Sequence, residues 1–141
     1  MRLIAAPAVL AIAVLGGCST FGVRTFGYAF PAEDGRAAVP VLLTDHAGAV
    51  TEIDQAPPGV QPIADAGFMA VPDMPNALVI HWIGGACDEK VDIDVKESGG
   101  LTFTLSTAVR PVACDAVAIP RAVLVKLTRP LDPSRTTLIQ P

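Results

Sequence analysis

From Lys90 to Lys96 the chain alternates. Val91, Ile93 and Val95 take every second place, and Asp92 and Asp94 fill the gaps. Leu101, Phe103 and Leu105 alternate in the same way with Thr102, Thr104 and Ser106. Period two sends successive side chains to opposite faces of a strand, so both runs read as half-buried strands. Ser98-Gly99-Gly100 separates them, and glycine accepts the positive φ of a tight turn. The two runs form a hairpin. Both apolar sets must face one core, so odd-numbered residues oppose odd-numbered ones. A three-residue loop pairs Val95 with Phe103 and Ile93 with Leu105. A five-residue loop pairs Val95 with Leu101 and Ile93 with Phe103.

Other stretches extend the pattern. Residues 39–44 and 49–53 are short strands around a turn at 45–48, and Pro40 marks the first as an edge. Phe26, Tyr28 and Phe30 alternate, which predicts a first strand that packs its aromatic face onto the sheet. The competing reading of that face is a membrane-interface belt or a partner-docking edge. "PAEDGRA" after it is a turn. Residues 56–75 carry Pro57, Pro58, Pro62, Pro72 and Pro75. That density excludes a long helix and leaves irregular chain with a short strand at 68–71. Residues 77–83 ("ALVIHWI") form a central strand that Gly84-Gly85 ends. Residues 121–127 are another strand, and 136–139 the last, after a turn at Asp132-Pro133-Ser134. Seven or eight short strands and no amphipathic helix predict an all-β fold, either a small antiparallel β-sandwich or a small barrel.

The first seventeen residues follow another rule. Arg2 precedes an apolar run from Leu3 to Leu15, and small residues follow. This is the layout of a secretory signal. The run is shorter than the roughly 20 residues of a spanning helix and contains Pro7. Leu15-Gly16-Gly17-Cys18 resembles the lipobox of bacterial lipoproteins: Leu, two small residues and Cys. The resemblance covers about the first twenty residues of the chain. It implies cleavage before Cys18 and acylation of the Cys18 thiol. Ser19 is the residue that, in Gram-negative lipoproteins, usually permits export to the outer membrane. The expectation is a lipid-anchored protein of the cell membrane or outer membrane, facing the periplasm or the exterior. The chain then divides into a signal peptide at 1–17, a lipidated tether and first strand at 18–38, and a β-sandwich domain at 39–141.

Cys87 and Cys114 remain. An oxidising compartment favours pairing them. They flank the open end of the hairpin, each a few residues beyond its paired part, so the fold itself brings them together. A loop of this length stabilises by roughly 3–4 kcal/mol on the chain-entropy model. Trp82 beside such a bridge gives a resemblance to immunoglobulin-like domains, where a Trp packs on the disulfide. There the Trp lies between the two cysteines. Here it precedes both, so the likeness is one of architecture.

Charge narrows the partners. Without Arg2 the chain carries nine basic and fourteen acidic side chains, a formal charge of −5. No basic stripe appears, so nucleic acid is not an expected partner. Nor does local chemistry point to catalysis. There is no Gly-x-Ser-x-Gly elbow, and His46 and His81 are the two histidines. His46 follows Asp45 in a turn and is expected to be exposed. His81 is expected either exposed or as a hydrogen-bonded core imidazole. No Cys or His spacing suits zinc. Asp92 and Asp94 share a face with Lys90 and Lys96, which makes a solvated neutral surface rather than a calcium site. Packing accounts for Met69, Met74 and His81 better than copper ligation does. No metal or cofactor is expected.

Asp88 and Asp115 each follow a cysteine, within reach of Arg110 and Arg121. Rigid scaffolds carry binding residues on such loops. These four residues are the candidate binding surface. The expected function is a non-catalytic binding or structural module that presents this end to an envelope protein, the cell wall or a small ligand. The alternatives are an envelope enzyme assembled from scattered loops, and an accessory subunit that docks through residues 26–30.

Overall fold

The computed structural model describes residues 22–31, 38–57 and 65–141. The expected signal segment, Cys18 and most of "PAEDGRA" lie outside the described residues. The described residues are all-β, with one short 3₁₀ turn at Pro133–Arg135. Among the described residues there are nine strands: β1 (Val23–Pro31), β2 (Val39–Asp45), β3 (Val50–Asp54), β4 (Gly67–Val71), β5 (Met74–Gly84), β6 (Asp88–Glu97), β7 (Leu101–Val109), β8 (Ile119–Leu127) and β9 (Thr136–Ile139).

Two sheets pack over one core. The first runs β1-β2-β6-β7-β9 and the second β4-β5-β8. The far edge of β8 is shared: β3 pairs with its second half, and Phe30–Pro31 at the end of β1 pairs with Ala122 and Arg121. β1 therefore belongs to both sheets. The strand path ends at β4 and β9 without closing, so the fold is a sandwich and not a barrel. Most pairings are antiparallel, and β2–β6 and β7–β9 are parallel.

The β6–β7 hairpin takes the three-residue loop. Val95 opposes Phe103, Ile93 opposes Leu105, and Gly99 adopts φ +71°. Val91, Ile93, Val95, Leu101, Phe103 and Leu105 are buried, and Leu78, Ile80, Trp82, Val123, Val125 and Leu127 face them from the second sheet. The outer face of that second sheet is also buried at Ala77, Val79, Ala122 and Leu124. Burial on both faces explains why β5 and β8 read as unbroken apolar runs.

Two expectations need correction. β2 is an interior strand, between β1 and β6, despite Pro40. Its ladder with β6 begins only at Val41, so the missing N–H of Pro40 interrupts nothing on that side. The aromatic face of β1 does not pack onto the sheet: Phe26 is 57% and Tyr28 49% exposed. The inward positions of β1 belong to Thr25, Gly27 and Ala29, opposite Leu43, Val41 and Val39. At Gly27 even a Cβ would crowd Ile53. A strip this tight admits small residues only, and period two then turns Phe26 and Tyr28 outward.

Asp45 organises the β2–β3 turn. Its buried carboxylate accepts hydrogen bonds from the backbone N–H of Ala47 and of Val50, both at 2.8 Å, while Gly48 supplies a φ of +64°. Asp45→Ala leaves the buried Val50 N–H without its acceptor. The expected loss is about 1–3 kcal/mol, read as a lower urea midpoint at unchanged slope. Across β3–β8, Lys126 Nζ reaches Glu52 at 2.9 Å and Asp54 at 3.2 Å. The Gln55 N–H and then Lys126 hold the Asp54 carboxyl below its usual value. A depressed carboxylate contributes stability above its unfolded pKa and loses it as pH falls through the folded one. The midpoints of wild type and Asp54→Asn should therefore differ slightly at neutral pH and converge in acid.

Candidate functional site

The end of the sandwich at which β1 and β5 finish and β2, β6 and β8 begin carries the candidate site. β5 stops at Gly84, the chain turns through 85–87, and β6 starts at Asp88. Cys87 and Cys114 are disulfide-bonded, with Cα atoms 5.9 Å apart. The Arg110 N–H donates to the Cys87 carbonyl at 3.0 Å, so a backbone bond and a covalent one hold the same two loops.

Beneath the bridge lies a buried ion pair. Arg121 stands opposite Trp82 on the inward face of the second sheet. Its Nε is 3.6 Å from Asp88 Oδ2, and both side chains are almost wholly buried. Arg121 Nη2 also donates to the Gly85 carbonyl at 3.5 Å, and Gly85 N–H donates to Asp88 Oδ2 at 2.8 Å. Gly84 is required here. A Cβ at that position would overlap the Asp88 carboxylate and crowd the Arg121 side chain. The Gly84-Gly85 pair thus does more than end a strand: it lets backbone approach two buried charges.

Around this pair opens a cleft of about 370 Å³. Val39, Pro40, Val117 and Ile119 contribute apolar surface to it. Asp88 and Arg121 line it from the buried side, and the exposed Glu89, Arg110 and Asp115 complete the polar part. All four residues of the predicted binding surface, Asp88, Arg110, Asp115 and Arg121, line this one cleft. Their environments differ. Asp88 and Arg121 are committed to each other, while Arg110 and Asp115 stand on exposed loop. The cleft offers both signs of charge beside an apolar patch, which suits a polar or zwitterionic group better than a purely apolar one.

Sequence reasoning placed Arg121 at a strand start and missed that it points inward. Its parity with Val123 and Val125 carried that information. The histidines divide. His46 lies in the turn after β2 and is exposed, as expected, 3.8 Å from Asp94. His81 is buried, and its ring packs against Gly67. Its Nδ1 has no hydrogen-bond partner, so it matches neither of the two expected environments. Lys90 and Asp92 pair at 2.8 Å on the outer face of β6. Among the described residues, no group of three His, Cys, Asp or Glu is placed to hold a metal ion, and no helix is long and apolar enough to cross a membrane. Comparison of the chain with protein-family models, with curated proteins and with solved structures finds no match.

Removing one partner of a buried ion pair strands the other. Asp88→Leu should cost about 3–5 kcal/mol. Asp88→Leu combined with Arg121→Met should cost less than the sum of the two single changes. The coupling expected from a double-mutant cycle of denaturation midpoints is about 0.5–3 kcal/mol.

Proposed function

We propose that the chain is a lipid-anchored protein of the cell envelope. It acts as a non-catalytic binding module, presenting the loops around the Cys87–Cys114 bridge to a partner. The observation that carries this reading is the cleft itself: one end of a rigid sandwich gathers a buried ion pair, an apolar patch and the free-standing Arg110 and Asp115 around about 370 Å³. The orientation of the strands supports it. Val23 opens β1 beside Asp45, and Ala29 near its end stands beside Val39, a residue of the cleft. A tether attached ahead of Val23 and the cleft thus lie toward opposite ends of the sandwich. The partner meets the module away from the anchor.

The disulfide gives the loops a fixed shape before any partner arrives, which lowers the ordering cost of binding. On the chain-entropy model a bridge across 27 residues is worth about 3–4 kcal/mol of fold stability. Arg110 and Asp115 then act as the recognition charges. Their truncation should weaken a partner without unfolding the domain.

The test starts with intact mass from the membrane fraction. Loss of residues 1–17, added acyl mass, and a gain of two hydrogens on reduction are the expected results. An unacylated chain overturns the anchor. Photocrosslinking then tests the module, with a photoreactive group in place of Val117 or, as a control, of Ser106 on the outer face of β7. A discrete adduct from position 117 alone, lost in Arg110→Ala/Asp115→Ala, is expected. Equal labelling from both positions would overturn the cleft as the binding surface.

A further inference from the structure

We propose that the outer face of β1 is a membrane contact, in which Phe26 and Tyr28 rest in the headgroup layer of the bilayer that holds the Cys18 lipid. The inference rests on the anchored reading above and adds a protein surface to the lipid.

Packing explains why these two rings point outward but not why they are aromatic. Any strand-forming residue would satisfy an outward position, and the chain has seven aromatic residues in all. Two of them are spent on an exposed pair, with ring centroids 5.3 Å apart and planes at 85°. Their cross-strand partners on the same face are the half-buried Leu42 and Pro40 of β2. Arg24 shares that face one step before Phe26 and is exposed. An aromatic pair, an aliphatic border and a flanking cation make the composition of an interfacial belt, in which ring and guanidinium sit at headgroup depth.

The strip is narrow. Beyond β2, the outer face of β6 carries Lys90, Asp92, Asp94 and Lys96. From β1 to β6 the apolar part of this face is confined to the β1 border, so the contact is shallow and follows the strand. With a formal charge of −5 the domain gains nothing from an anionic surface, which makes neutral headgroups the matching chemistry.

Reach selects the bilayer over other occupants. Five residue steps separate Cys18 from Val23, and an extended chain spans at most about 3.6 Å per step, or about 18 Å. Phe26 lies three positions further along the strand, about 10 Å at strand rise. If Cys18 is acylated, a surface that short a distance from its lipid meets the bilayer continuously. A soluble partner meets it only on encounter.

The test uses the full-length, membrane-extracted protein in phosphatidylcholine vesicles whose acyl chains carry bromine near the headgroup. Native Trp82 is buried in the core and should be unaffected by the quencher. In Tyr28→Trp the introduced indole should lose emission several-fold, and in Val112→Trp, on the disulfide loop, it should not. Intact mass of the same sample reports acylation at Cys18. Acylated protein with an unquenched Tyr28→Trp indole overturns the membrane contact and leaves the anchor standing. A blue-shifted but unquenched indole means that a second copy or another protein covers the strip, which also overturns it. Absence of acyl mass overturns both.

Discussion

Successive side chains on a strand point to opposite sides, and almost everything distinctive about this molecule follows from that constraint. The core claims the odd positions of β6 and β7 and of β8, and the even positions of β5. Residues between them have no choice of face. Arg121 is carried inward because it shares the parity of Val123 and Val125. Phe26 and Tyr28 are carried outward because Gly27 and Ala29 are the residues small enough for the crowded inner side of β1. The buried ion pair and the exposed aromatic pair are two outcomes of one rule.

The ion pair is costly unless its surroundings are complete. Here the backbone completes them: Gly85 donates to Asp88 and accepts from Arg121, and the absence of a side chain at Gly84 makes room. The disulfide closes the same end from outside. A buried charge network, a covalent staple and a backbone bond from Arg110 to Cys87 therefore converge on the loops that border the cleft. Links of this kind restrict how far the loops can move, and restricting them in advance lowers the ordering cost of any binding there.

The anchored reading and the fold are consistent in geometry. β1 is both the first described strand, the one that would follow a tether, and the strand that joins the two sheets, since it pairs with β2 and then with β8. A pull or contact at the membrane would act on the element that belongs to the whole sandwich. The cleft lies toward the other end of that strand, where Pro40 belongs both to its lining and to the outer face beside Tyr28.

Much of this was legible in the residues alone. The β6–β7 register, down to Val95 opposite Phe103, needed only alternation, a three-residue glycine loop and the demand that two apolar faces share one core. The bridge followed from the same hairpin. Two of the residues lining the cleft, Asp88 and Asp115, were legible from their neighbours in the chain, because cysteines that must meet bring them along. What the residues did not disclose depended on contacts between distant strands. Pro40 looked like an edge signal, but β2 became interior because β6 pairs with it beyond the proline. Phe26 and Tyr28 looked like a packed face because they are aromatic and alternate, but Ile53 of another strand already filled the space beneath Gly27. Arg121 looked like surface because it is charged, but Asp88 and Gly85, more than thirty residues away, made its burial tolerable. Local pattern determines which residues share a face. Which face is the inside, and what waits there, is decided only when the sheets meet.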